Sequence, residues 1–336
     1  MFHFLNLCKP CAAHATKFPL CRITTPQMTC KTSRSIYVQI DIHGPIQRVW
    51  ELTQTPHLHQ QWDLRFTEIT YLSCPEPGKP QRFLYATRIG FGLAIRGEGE
   101  TVGIRNDVGG RRSSALKFRS DDPKSLIRAG SGYWKYVPLP DGGMRFLTGY
   151  DYDVRFGILG RLVDRFAFRP LMGWATAWSF DRLRLWVESG VPPAITMRRT
   201  LTHASARVAL AVVWLYQGIV PKLLFPSLDE LAMLRAAGFS DAAARAVRTG
   251  MGWAEIALGL TLLLAWRSRW PVWLTLVLMP LAAIGVAITS PRFLAMAFNP
   301  IALNASVFAL AVIALLESVD LPAARRCVRR MPQEAA

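Results

Sequence analysis

The chain predicts an α+β module followed by an all-α bundle of four transmembrane helices. Three observations carry that reading. Between about Leu201 and Glu317 lie four apolar stretches, and the third, Trp270 to Thr289, has no charged residue. Roughly 20 apolar residues span a hydrocarbon core of ~30 Å. Ahead of them, strand-like runs set between turn signals recur from Ser35 to Phe156, and from Ile158 to Glu188 the period becomes helical.

The front module begins with Ser35 to Asp41, SIYVQID, which has the alternation of a half-buried strand. Pro45 opens a helix in which Ile46, Val49, Trp50 and Leu52 form one face, and Pro56 opens a second short helix through Trp62. Strand-like runs follow at 64–72, 81–89, 93–104, 112–118, 126–137 and 144–156. Pro-Glu-Pro-Gly at 75–78, Asn106-Asp107, Gly109-Gly110, Asp121-Asp122-Pro123 and Asp141-Gly142-Gly143 separate them at hairpin spacing. Leu159, Leu162, Phe166, Trp174, Trp178 and Leu185 then recur at helical intervals. Pro170 inside that run predicts a kink or two abutting helices. Arg161, Arg165, Arg169, Arg182 and Arg184 give the long helix a basic side. A curved sheet gripping a helix encloses an apolar cavity.

The order strand, two short helices, antiparallel meander and long closing helix, with Gln61-Trp62-Asp63 after the second small helix, resembles the SRPBCC superfamily. That is the START-like, polyketide-cyclase-like helix-grip fold, here over about 34–190. The resemblance implies a hydrophobic small-molecule ligand and, in some members, cyclisation or hydrolysis in the cavity. Val191-Pro192-Pro193 breaks the helix and opens a linker over 191–200. Spans are expected at about 204–223, 247–266, 270–289 and 299–317 within a membrane domain over 201–320, and a basic cytoplasmic tail over 321–336. The segment AVVWLYQGIVPK at 211–222, with Gly252-Trp253-Ala254-Glu255 opening the second span, resembles the DoxX-like membrane family. Kinship of that sort implies a link to membrane redox reactions with quinone, through a membrane redox partner. No other cofactor is implied.

Composition bounds the partners. The chain has 336 residues, 51% of them hydrophobic, and a net charge of +17. With membrane spans present, that charge points to topology and anionic lipid. No nucleic-acid-binding motif accompanies it. Arg198, Arg199, Arg207, Arg267, Arg269, Arg325, Arg326, Arg329 and Arg330 fall at one end of the spans. Lys222, Arg235, Arg245, Arg248 and Arg292 fall at the other. The richer end should be cytoplasmic, which makes this a multi-pass inner-membrane protein with both termini and the front module inside the cell. The loop 226–244 is then outside, and LDELAMLRAAGF within it is amphipathic enough to rest on the outer interface. Residues 1–33 read as a disordered extension without a signal peptide, and Met28 is an alternative start. Cys8, Cys11, Cys21 and Cys30 lie in it, with too little chain around them to build a zinc site.

Two groups of residues are candidates for a site. Trp62, Tyr85, Trp134 and Tyr150 are cavity walls or ordinary core. Glu98 and Glu100 alternate with glycines on one strand and are either inward acid/base groups or a solvated face. In the spans, Gln217, Glu255 and Asn304 fall at one level, with Glu255 ~12 Å from the outer boundary, and Lys222 can snorkel to the interface or reach back toward Glu255. They are interhelical glue or a polar pocket for a quinone headgroup or a proton. Arg207 reads as an anchor snorkelling at the inner end. His57 and His59 do not share a helix face. No metal site, Ser-His-Asp order, phosphate loop or dinucleotide fingerprint is present. The function that follows is a membrane-anchored binding protein holding an apolar ligand or lipid. The alternative is the membrane subunit of a quinone-linked oxidoreductase.

Overall fold

The computed structural model describes residues 35–72, 80–90, 92–107, 109–297 and 299–331. The expected N-terminal extension, with its four cysteines and Met28, lies outside the described residues, as does Cys74. Seven strands form one antiparallel sheet: β1 (Ile36–Ile42), β2 (Glu68–Tyr71), β3 (Gln81–Gly90), β4 (Leu93–Asn106), β5 (Arg112–Arg119), β6 (Ile127–Pro138) and β7 (Met144–Val154). Their order is β1-β7-β6-β5-β4-β3-β2. Two short helices, α1 (Ile46–Gln54) and α2 (Pro56–Trp62), connect the two edge strands, β1 and β2. The concave face of the sheet wraps α4 (Arg169–Ser189). This is the helix-grip arrangement.

The closing helix is interrupted beside Pro170, as the sequence predicts. α3 (Gly157–Val163) leads into a π turn, Asp164–Phe168, and Pro170 then sits in the first turn of α4. Phe168 and Arg169 keep helical backbone angles, so the helix continues through Pro170, and the widened turn before it accommodates the N–H that proline lacks.

The predicted linker over 191–200 is mostly helix. α5 begins at Pro193 and runs to Ile219, so only Gly190 to Pro192 separate the two parts. A π turn follows at Val220–Leu224, with Pro221 inside it. Proline cannot supply the helical N–H, and the widened turn accommodates that loss. Then come α6 (Leu228–Ala236), α7 (Asp241–Leu264), α8 (Trp270–Thr289) and α9 (Pro300–Leu316). Among the described residues, three helical segments are long and apolar enough to cross a membrane: 193–224, α7 and α8. The fourth, α9, is also apolar but has only 17 residues. α5 packs on α7 and α9, and α8 packs on α9. Gly218 and Gly252 bring α5 and α7 together: a Cβ on Gly218 would meet the Gly252 carbonyl and Ile256. Small residues at such a seam replace side-chain bulk with backbone contact.

The segment after α9 is not a free tail. Val328 pairs with Gln39 on the open edge of β1, each backbone N–H donating to the other's carbonyl at 2.9 Å. The Asp181 carboxylate of α4, fully buried, accepts from Ala323 N at 2.7 Å and pairs with Arg326 at 3.2 Å. Cys327 is buried beside Ala177, and burial pushes its thiol up to about 12. The helix-grip module is therefore held at both ends of the bundle sequence, by α5 and by the return of the chain after α9.

Candidate functional site

The concave face has two unlike halves. Under α1 and α2 it is solid: Trp62, Tyr136, Phe146 and Phe180 have no exposed surface and Trp134 has 6%. Phe146 and Phe180 stack at 4.5 Å between centroids, and Trp62 stands 6.1 Å from Phe180. Burying each of these rings contributes roughly 2–3 kcal/mol. Trp62 and Trp134 are thus filled core rather than cavity walls. Toward β3, β4 and β5 the same face opens, and Phe66, Tyr85, Thr101, Leu116 and Phe118 are only half-buried. Tyr85 is the predicted wall residue that does line the open half. Its ring lies over Gly97, where a Cβ would strike it, and Phe83 lies over Gly99 in the same way. Glycine at these points lets the rings lie flat against the sheet.

Glu98 and Glu100 are corrected by the same register. Leu84, Glu98 and Arg119 are paired across three strands, on the face opposite to Phe83, Tyr85 and Phe118. Glu98 takes Arg82 at 2.9 Å and Arg119 more closely still. Arg119, and then Arg82, hold its carboxyl below the usual range. Both glutamates stand on the outer face because strand alternation gives the inward positions to the glycines beside them.

A polar cluster that the sequence reading did not assemble marks the boundary between the two halves. The Asp63 carboxylate is fully buried. It accepts from Arg65 Nε at 2.9 Å and Nη2 at 2.6 Å, and Asp63 Oδ2 lies 3.0 Å from His59 Nε2. A carboxylate only accepts, so the neutral imidazole carries its proton on Nε2. Burial lowers the His59 pKa, and the opposing pull of Asp63 does not cancel it. Burial alone would raise Asp63; the Arg65 guanidinium and the His59 hydrogen bond outweigh it and hold the carboxyl below its ordinary value. Arg65 also lies over the Tyr150 ring at 5.3 Å. Tyr150 is buried, its hydroxyl 2.9 Å from Thr176 Oγ1. His59 and Asp63 are four apart on one helical turn, a spacing that was readable. Arg182, on α4, ties this corner to the bundle. It donates to the carbonyls of Trp62 at 3.2 Å, Gln61 at 3.0 Å and Pro193 at 2.8 Å. Burial brings its pKa down to about 10.

At the far end of the bundle, Lys222 is 5% exposed and lies 3.0 Å from both Glu230 Oε1 and Glu255 Oε2. The predicted Lys222–Glu255 pair is therefore present, and Glu230 of α6 joins it. Arg248 is 7% exposed, one α7 stripe from Gly252 and Glu255, and makes no hydrogen bond or ion pair among the described residues. Glu230 Oε2 and Glu255 Oε2 also lack hydrogen-bond partners; the Lys222 contact to Glu255 is an ion pair outside hydrogen-bond geometry. Gln217 contributes its carbonyl to Lys222 at 3.5 Å. Asn304 is not gathered in: α9 packs on α5 and α8, whereas the Lys222 cluster is built on α6, α7 and the turn after α5.

The near end buries charge differently. Arg207, 1% exposed, donates to the carbonyls of Leu262 at 2.7 Å, Ala265 at 2.7 Å and Ser268 at 2.9 Å. It does not snorkel; it caps the C-terminus of α7. His203 Nδ1 lies 2.8 Å from the Ala314 carbonyl near the end of α9. One face of α5 thus satisfies the carbonyl ends of both neighbouring helices.

The fold and these two sites define a class: a membrane protein whose helix-grip module is joined to a DoxX-like domain. Residues 211–312 match the model of the DoxX-like family. The chain is 51% identical over 185 residues to the "uncharacterized membrane protein YndG" of Bacillus subtilis (strain 168), covering 55% of this chain and 69% of that one. It belongs to the family of that Bacillus protein. Among solved structures, it is similar to TTHA0849 from Thermus thermophilus, with 16% identity, 46% of this chain, 98% of that one and a TM-score of 0.35. The STAR-related lipid transfer protein from Xanthomonas axonopodis is similar at 13% identity, 46% of this chain, 85% of that one and a TM-score of 0.36. A START superfamily protein from Mycobacterium smegmatis is similar at 15%, 47%, 100% and 0.33. Likeness at this level bears on neither ligand nor chemistry.

Proposed function

We propose that this protein is a membrane-anchored binding protein whose helix-grip module holds a hydrophobic small molecule or lipid beside the bilayer. Supporting it most is the open half of the concave face, where Phe66, Tyr85, Leu116 and Phe118 stand half-buried and Phe66 lies edge-on to His59 of the Arg65–Asp63–His59 cluster. Apolar walls with a few convergent polar groups are the make-up of a small-molecule site. In the same reading the protein crosses the inner membrane several times, with the module and both termini cytoplasmic. The arginine excess at the end where Arg199 meets Asp320 and Arg269 reaches Ser318 supports that orientation. Solvent extraction of the purified full chain, followed by mass spectrometry, tests the reading. An apolar molecule should leave with wild type and be missing from Leu116→Trp, with the unfolding midpoint of the variant unchanged. Nothing extracted from wild type, or equal amounts from both, sinks it.

The second reading, a membrane subunit of a quinone-linked oxidoreductase with a membrane redox partner, draws on the far-end cluster. Its donor set fits a quinone headgroup: Arg248 has an N–H with no acceptor, and Lys222 packs against Gly252, one turn further along α7. These two cations would hold the headgroup carbonyls, Glu255 would hold or release a proton, and the quinone would supply two-electron acceptance. Quinone that co-purifies with wild type and is lost in Glu255→Gln supports this reading; wild type without quinone removes it.

A further inference from the structure

The segment joining β7 to α4 turns a row of apolar side chains outward. Ile158, Leu159, Leu162, Val163 and Phe166 are exposed at 71, 70, 49, 47 and 74%. A contiguous apolar surface of this kind marks a contact with another apolar phase. The π turn decides which charges accompany it. Asp164 is the only acid between Arg155 and Asp181, and the turn points it inward, 6% exposed. Its Oδ1 accepts from the Tyr152 hydroxyl at 2.7 Å and its Oδ2 from Arg169 Nε at 2.9 Å. The other expected members of the basic side are likewise engaged, Arg182 by buried carbonyls and Arg184 by Asp181 and Glu188. Arg161 and Arg165 remain exposed beside the apolar row, and neither forms an ion pair among the described residues. Phe156 holds a left-handed backbone, φ 67°, with its ring 54% exposed. That conformation costs a non-glycine residue on the order of 1 kcal/mol, and burial of the ring does not repay it.

We propose that the segment 156–166 lies in the headgroup layer of the bilayer that anchors the chain. The apolar row enters below the phosphates, and Arg161 and Arg165 pair with anionic lipid. An apolar face flanked by arginines, with its one acid turned away, is the make-up of a helix that lies on a membrane. The spans supply the membrane at high effective concentration. The proposal rests on the module standing beside the bilayer, and it does not depend on which ligand the module holds.

The test uses the full chain in nanodiscs of phosphatidylcholine and phosphatidylglycerol, with a photoreactive diazirine amino acid at position 162. Adducts are identified by mass spectrometry. The same probe at position 105, on the outer face of the sheet, is the reference. Phospholipid adducts at 162 should exceed those at 105 by about tenfold, and the double variant Arg161→Glu, Arg165→Glu should lower them by about tenfold. Adducts to a second copy of the chain, lipid yield at 162 no higher than at 105, or no response to charge reversal would overturn the proposal. Failure here with ligand still recovered by solvent extraction would leave the binding function standing and remove only the membrane-resting face.

Discussion

The two ends of the bundle bury charge in opposite ways. At the near end, Arg207 hands its guanidinium to three main-chain carbonyls at the end of α7 and in the turn after it. No carboxylate is needed, because the C-terminus of a helix already carries partial negative charge. At the far end, Lys222 is shared by two carboxylates; among the described residues each keeps one oxygen without a hydrogen bond, and Arg248 has no acceptor. Burial of charge is common to both ends. What separates them is the valence left open, which is closed around Arg207 and unfilled around Lys222 and Arg248.

That contrast can be broken most directly at Arg207. Arg207→Met should cost ~3 kcal/mol or more, because three carbonyls at the end of α7, one of them fully buried, lose a charged donor. The measurement is the thermal unfolding midpoint in detergent, and Arg207→Lys should recover only part of the loss. Next in size is the clamp that joins the near end to the module. Asp181→Asn should cost about 2 kcal/mol and release the returning chain. Cys327, protected in wild type by burial, should then react with maleimide at least about tenfold faster, as read by peptide mapping. At the far end, Arg248→Met should change stability by no more than ~1 kcal/mol, in either direction, since it removes an unpaired charge and keeps the bulk. A loss as large as that of Arg207→Met would erase the distinction between the two ends.

The smallest effect is a pH slope within the helix-grip module, which closes its valences like the near end. The His59 pKa is lowered in the folded state, so below its ordinary value of about 6.5 the unfolded chain takes up a proton that the folded chain refuses. Its contribution to stability is complete above that pH and declines as pH falls toward the folded value. Asp63, also lowered, adds a second loss below the ordinary carboxylate range. Unfolding midpoints of wild type should fall between pH 7 and pH 5, and His59→Asn should flatten that decline. An equal slope in the variant would place its cause elsewhere.

Much of the architecture was legible because periodicity is local. The alternation of β1 and the apolar runs of α5, α7 and α8 survive in the structure nearly as read. The Lys222–Glu255 pair was legible too, since two ionisable side chains in apolar helices have few partners to choose from. The rest was hidden for specific reasons. Glu98 and Glu100 needed the sheet register to say which face was inward. Asn304 matched Glu255 in depth, but depth does not say which helices are neighbours, and α9 lies against α5 and α8. Glu230 sat in a loop read as interfacial and turned toward Lys222 instead.

Strand period, span length and charge count each depend on residues within a few turns of one another, and the amino-acid sequence by itself determined them: a β-meander, a closing helix and an apolar bundle with arginines at one end. Only the tertiary structure decided that Arg207 is a cap, that Arg248 has no partner among the described residues, that Asp164 turns inward and that the chain after α9 returns to β1. Each of those depends on which groups from distant segments arrive within about 3 Å, the range over which a hydrogen bond forms or fails.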